Sequence, residues 1–180
     1  HNYRNNLVGH WKLNENDSGS LAYDNTDKRN NGVLENTPTW SSHGGPYGGA
    51  CLSFDGSDEY ITLPNSSKTV LHQSSFTISA WVNYTTFGVY EFFISARNTN
   101  SSTTNNWLQF GLTNSTLRFS FHGSGSDLDS SGFTFSTGVW YHLVAVYDIT
   151  VGQKIYINSV LNASKANTTG LTMSDTTSGE

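Results

Sequence analysis

The chain has little cysteine, little charge and no long apolar run, and each shortage excludes something. Cys51 is the single cysteine among 180 residues, so no internal disulfide can form. It lies in Ala-Cys-Leu-Ser-Phe (50–54), a predicted strand, and reads there as a small buried hydrophobe. Charged residues make up 13% of the chain, the net charge is −5, and acid and base are scattered. With no basic patch, nucleic acid is excluded as a partner. No apolar stretch approaches the roughly 20 residues of a membrane span, which excludes direct membrane insertion. No segment has the pattern of a helix of three turns, and no internal repeat is visible. The chain starts at His1 without a signal-peptide pattern, so an export signal is expected to have been removed or to lie outside this sequence.

What fills the chain is aromatic and small polar. Aromatics reach 13% with five Trp, among abundant Ser, Thr, Asn and Gly. That mixture favours strands and turns over helices. At 180 residues one domain is expected, large enough to bury a core. Residues 140–148, Trp-Tyr-His-Leu-Val-Ala-Val-Tyr-Asp, are a β run ending on a turn former, followed by a second run at 154–158. Residues 76–84 alternate: Phe76, Ile78, Ala80, Val82 and Tyr84 share one face, and Thr77, Ser79, Trp81 and Asn83 the other. Further strands are predicted at 7–13, 90–96 and 160–163, with short ones at 32–34 and 133–135. Hairpins are predicted from 52–54 and 60–63 around Asp-Gly-Ser-Asp, and from 107–112 and 117–122 around Thr-Asn-Ser-Thr. Residues 14–31, 38–49, 97–106 and 123–132 read as loops. About ten to twelve short strands punctuated by turns predict an all-β, two-sheet antiparallel sandwich or jelly roll.

Seven Asn-X-Ser/Thr triplets occur, where this composition alone gives about five. Asn100, Asn114, Asn162 and Asn167 lie in polar stretches and are the better candidates for N-glycosylation, with Asn65 and Asn16 behind them. Asn83 follows a strand and is expected to be masked. Low charge and a Ser/Thr/Asn-rich surface favour an extracellular or cell-surface glycoprotein.

Catalytic patterns are weak. Asp55/Asp58/Glu59 and Asp127/Asp129 are the nearest carboxylate groupings, and both read as solvated turns rather than an acid and nucleophile flanking one glycosidic bond. His10, His43, His72, His122 and His142 have no evident partners; His10 and His142 read as packed strand histidines. No His/Cys cluster has zinc spacing. The protein is therefore expected not to be an enzyme. Exposed aromatics beside amides and carboxylates would suit a sugar ring. Trp81, Trp107 and Tyr90 are the ligand-binding candidates, with Trp40 and Tyr47 in a Gly-rich loop behind them, and core or loop packing is the competing reading for each. For a hard cation, the oxygens of residues 24–32 are the richest set: Asp24 as carboxylate, Asn31 or its neighbours through carbonyls. An Asx-rich turn without metal is the alternative.

The chain resembles the laminin-G-like domains of the concanavalin A-like lectin/glucanase superfamily. The segments that carry the resemblance are Leu-Val-Gly-His-Trp-Lys-Leu-Asn-Glu (7–15), Asp24 with Asn-Asn-Gly-Val-Leu (30–34), and Gly-Gly-Ala-Cys-Leu-Ser-Phe-Asp-Gly (48–56) running to Tyr60-Ile61. Phe-Thr-Ile-Ser-Ala-Trp-Val (76–82), Gly-Val-Trp-Tyr-His-Leu-Val (138–144) and Ile-Tyr-Ile-Asn (155–158) complete the set, in the family's order. The resemblance implies a jelly-roll sandwich over 7–163, an arm at 1–6 and a polar tail at 164–180. It strengthens the reading of Asp24 as ligand to one structural calcium. It also implies a closing strand beside 7–13; no such segment precedes Glu180, so that strand is expected downstream or from a partner. The functional expectation is a non-catalytic module for recognition or adhesion, with glycan or extracellular protein as ligand. The alternatives are a structural building block of a surface assembly, made with copies of itself or other domains, and a degenerate glycoside-hydrolase-like domain.

Overall fold

The computed structural model describes residues 6–17, 19–97, 107–121 and 125–173. The chain divides after Val70 into two compact units. Among the described residues there are thirteen strands and one short helix.

The first unit carries β1 (Leu21–Ala22), β2 (Gly32–Glu35), β3 (Thr39–Ser41), β4 (Cys51–Ser53), β5 (Tyr60–Thr62) and the helix α1 (Asn65–Thr69). They form an antiparallel sheet β1-β2-β5 and a separate pair β3-β4. Three expectations fail here. The turn at Asp55 forms, with Ser57 N–H donating to Asp55 Oδ1 at 2.8 Å. Its flanks do not pair with each other, because β4 pairs with β3 and β5 with β2. Trp40 accordingly sits in a strand rather than a loop. Residues 7–13 are not a strand either. Trp11 makes one antiparallel bridge, to Asp24, and its indole N–H donates to the Asn30 carbonyl at 2.8 Å.

The second unit carries β6 (Phe76–Asn83), β7 (Tyr90–Arg97), β8 (Trp107–Thr113), β9 (Thr116–Ser120), β10 (Leu128–Asp129), β11 (Trp140–Asp148), β12 (Gly152–Ile157) and β13 (Val160–Lys165). Two four-stranded antiparallel sheets result, β10-β9-β8-β7 and β13-β12-β11-β6. The predicted 107–122 hairpin is present as β8–β9, turning on Asn114 and Ser115, both at positive φ as a two-residue hairpin turn requires. No strand forms at 133–135; Phe135 packs on Tyr141 at 4.9 Å instead.

The alternation read in the sequence sets the sandwich. Tyr141, Leu143, Ala145 and Tyr147 of β11 point inward, as do Leu108, Phe110 and Leu112 of β8 and Leu117 and Phe119 of β9. Aromatic rings meet between the sheets. Phe76 lies edge-on to Phe119 at 6.1 Å, and Phe121 edge-on to Tyr147 at 4.8 Å. Such pairs add about 0.5–1.5 kcal/mol each beyond the area they bury. Leu171 and Met173 are fully buried in the same core, a placement that the polar composition of 164–180 does not suggest. Gln153 is buried too: its Nε2 donates to the Phe119 carbonyl of the opposite sheet at 3.3 Å, and its Oε1 accepts from Asn167 Nδ2 at 3.0 Å.

Candidate functional site

Strand register places one row of side chains across the outer face of sheet β10-β9-β8-β7. Asp129 lies opposite Arg118, Arg118 opposite Gly111, and Gly111 opposite Phe92. Arg118 holds Asp129 in a fork, Nε to Oδ1 at 2.7 Å and Nη2 to Oδ2 at 2.8 Å. Its Nη1 also reaches Asp127 Oδ2 at 3.2 Å. Asp127 in turn accepts from the Ser120 hydroxyl. The hydrogen bond to Asp129 raises the Arg118 pKa more than partial burial lowers it, so the guanidinium stays charged. A planar cation locked against two carboxylates presents fixed donors and acceptors at one spot.

Aromatic surface adjoins it. Tyr90 is 70% exposed and its ring stacks on Phe92, centroids 6.1 Å apart. The two share a face because they are two residues apart on β7, and a bulge between Phe92 and Ile94 then turns Phe93 inward onto Phe110. Between the aromatic pair and the Arg–Asp fork stands Gly111. A side chain there would overlap the Glu91 carbonyl oxygen and Phe92 Cα, so the close approach of β7 at the bulge requires glycine.

The three aromatic candidates do not converge. Tyr90 opens β7 opposite Thr113, whereas Trp107 lies at the far end of the same strand pair, opposite Arg97, whose guanidinium sits 5.2 Å from the Trp107 ring centroid. Trp81 belongs to the other sheet. It is 42% exposed on the outer face as predicted, packed against the His142 ring at 5.1 Å. His142 is not without a partner: it shares a 2.8 Å hydrogen bond with the Ser79 hydroxyl. His43 pairs with the Ser42 hydroxyl, and His72 Nδ1 accepts from Met173 N–H at 3.0 Å. His10 is exposed and outside any strand, which corrects the packed reading. His122 lies outside the described residues.

Sequence reasoning missed Arg118, Asp127, Asp129, Phe92 and Gly111. Asp127 and Asp129 are not a solvated turn; Asp129 ends β10 and both carboxylates face Arg118. Their two-residue spacing, which puts both on one face of a strand, is the available signal. Asp127, Asp129 and Arg118 are partly exposed, so the cluster is open to a ligand.

Asp24 occupies a different kind of place. It is buried, and its carboxylate accepts four hydrogen bonds: His10 N–H at 2.8 Å and Thr26 N–H at 2.9 Å on Oδ1, Thr26 hydroxyl at 2.7 Å and Asn30 N–H at 2.9 Å on Oδ2. Burial raises its pKa, but these donors together outweigh burial and hold it below the ordinary aspartate value. Asn31 Oδ1 accepts from Asp24 N–H at 2.9 Å, and Asn30 Nδ2 donates to the Val8 carbonyl. A carboxylate has about four lone-pair sites, and all are aimed at hydrogens here, so this loop does not fit a cation as it stands. Among the described residues no group of three or more His, Cys, Asp or Glu is placed to hold a metal ion.

The sequons divide by environment. Asn114 is exposed at the β8–β9 turn and Asn65 begins α1. Asn162 has its amide engaged on both sides, Oδ1 accepting from Ser131 N–H at 2.8 Å and Nδ2 donating one hydrogen to the Ser131 carbonyl at 3.1 Å. Asn167 Nδ2 is bonded to Gln153. Asn100 lies outside the described residues.

Comparison with known proteins agrees with this architecture. No curated protein matches the chain. Among solved structures, the chain is similar to domain 4 of AbnA, a GH43 extracellular arabinanase from Geobacillus stearothermophilus, in complex with arabinotriose. Identity is 22%, the match covers 92% of this chain and 78% of that one, and the TM-score is 0.69, a likeness of fold. A laminin-G family model described as the concanavalin A-like lectin/glucanases superfamily matches residues 55–179, and the chain belongs to that superfamily.

Proposed function

We propose that the protein is a non-catalytic, extracellular glycan-recognition module whose ligand lies across the outer face of β7–β10. The observation that carries this reading is the row Phe92, Gly111, Arg118, Asp129, with Tyr90 stacked at its aromatic end. A sugar ring has an apolar C–H face and a rim of hydroxyls. Tyr90 and Phe92 supply a surface for the first, and the Arg118–Asp129–Asp127 cluster supplies charged donors and acceptors for the second. The binding of arabinotriose by the similar domain of AbnA supports the choice of ligand class. The engagement of Asp127 and Asp129 with one arginine supports a binding rather than an acid–base role, because both carboxylates are held by a fixed cation that orients them as acceptors. Among the described residues no helix is long and apolar enough to cross a membrane.

The test is calorimetric titration of the protein with arabinotriose and a panel of other plant and animal oligosaccharides. Binding by at least one, weakened about tenfold (about 1.4 kcal/mol) by Tyr90→Ala and unaffected by Tyr47→Ala, is expected. Protein ligands without any glycan, or a glycan bound equally well by Tyr90→Ala and Arg118→Ala, would replace this reading with adhesion or assembly.

A further inference from the structure

We propose that the ligand of the β7–β10 face is a neutral, linear oligosaccharide of several residues, held at two aromatic ends of that face rather than at one. This rests on the glycan reading above and adds Trp107 to it. On β8, Leu108, Phe110 and Leu112 are buried in the core. Side chains alternate along a strand, so Trp107, Gln109 and Thr113 belong to the outer face, with Arg118 and Asp129. Trp107 therefore shares a face with Tyr90, at the opposite end of the same strand pair.

The spacing sets the length of the ligand. Tyr90 lies opposite Thr113, and Arg97 opposite Trp107. Six steps along β8 at about 3.4 Å each put the two ends about 20 Å apart, too far for one sugar ring to touch both. Between them Ser95 lies opposite Gln109. Ser95 is exposed and Gln109 half-buried, so a hydroxyl and an amide line the intervening stretch. The far end is built like the near one. Arg97 is exposed and sets its guanidinium 5.2 Å from the ring centroid of half-buried Trp107, as Arg118 stands in the row of Phe92. Each end offers ring surface for C–H groups and a guanidinium for hydroxyls.

Charge narrows the class. At the near end Asp127 and Asp129 face one guanidinium, so that cluster carries a net negative charge. It repels uronic acids and sulfated sugars, whereas a neutral chain meets no such cost. Tyr90, 70% exposed and stacked on Phe92, offers the larger ring surface, so a short chain settles there. A longer chain engaged at Tyr90 brings its remaining residues to Trp107 without a second encounter. Affinity should then rise with length until both ends are occupied.

Calorimetric titration with linear arabino-, xylo- and cello-oligosaccharides of two and of six residues, and with hexagalacturonate, tests this. In at least one neutral series the six-residue chain is expected to bind about tenfold tighter than the two-residue one. Trp107→Ala should abolish that gain and leave the two-residue affinity as it was. Equal affinity for both lengths in every series, a length gain retained in Trp107→Ala, or hexagalacturonate bound more tightly than any neutral chain would overturn the extended site while the glycan reading stands. Binding of no oligosaccharide at all would overturn both. Should Trp107→Ala fail to fold, the 1H–15N signal of the Trp107 indole, assigned by its absence in Trp107→Phe, decides instead. It should shift with the six-residue chain and stay in place with the two-residue one; any other pattern overturns the site.

Discussion

Arg118 grips Asp129 through two parallel hydrogen bonds, across adjacent antiparallel strands and on the face that carries Tyr90. Both side chains are partly exposed, so solvent screens the pair and its coupling energy is expected to be only about 1 kcal/mol. A double-mutant cycle on Arg118→Ala and Asp129→Ala, read by denaturant unfolding, checks this. Arg118→Ala alone should lose more than the coupling, because it leaves Asp127 and Asp129 facing each other unneutralised.

Gly111 is expected to resist every substitution. Gly111→Val would drive its side chain into the β7 backbone and cost about 3 kcal/mol or more, as overpacking against a backbone that cannot retreat does. Thermal unfolding of the variant measures the loss. Unchanged stability would mean that the bulge at Phe92 relaxes.

The Asp24 hub makes a prediction about metal. Asp24→Ala orphans three backbone N–H groups and one hydroxyl, and should destabilise the protein by about 2–4 kcal/mol. Because those donors are the cause, the drop in melting temperature should be the same with calcium and with chelator. A drop seen with calcium alone would restore the calcium reading.

Acid stability follows from the same carboxylate. Asp24 is held below 3.8 in the fold despite burial, by its donors, and exposed Asp148 is lowered as well, first by the Thr150 hydroxyl. A depressed folded pKa gives stability that is present above the unfolded value and lost as pH falls through the folded one. Stability should therefore decline on acidification below about pH 3.8, and Asp24→Asn should flatten that decline. Chemical denaturation across this range tests it.

Glycosylation is expected to select by geometry. Expressed in a eukaryotic secretory pathway, the protein should carry glycan on exposed Asn114 and not on Asn162, whose Nδ2 is committed to the Ser131 carbonyl. Peptide mass mapping before and after enzymatic glycan removal distinguishes the two.

Much of the sandwich was legible in the residues. β6 and β11 alternate cleanly because each has one buried face, and the Thr113–Thr116 turn announces β8 and β9. Pairing between distant segments was less legible. The Asp55 turn has every local mark of a hairpin, yet the partners of β4 and β5 come from earlier in the chain, where no local signal points. Leu171 and Met173 are lone apolar residues in a polar stretch, too sparse to show a period. Tyr90 was visible as an exposed aromatic candidate. Arg118 was not, since its role depends on the register that sets it beside Asp129 and Gly111.

Gln153 reaches from one sheet to a backbone carbonyl of the other through an otherwise apolar interior. Apolar faces slide over one another at little cost, but a buried amide tolerates a single alignment, because any slip strands its polar atoms. The offset between the two sheets is thereby keyed by one side chain, independently of the turns that join the strands. Turn sequences are then at liberty to drift while the aromatic and charged row on the outer face keeps its spacing.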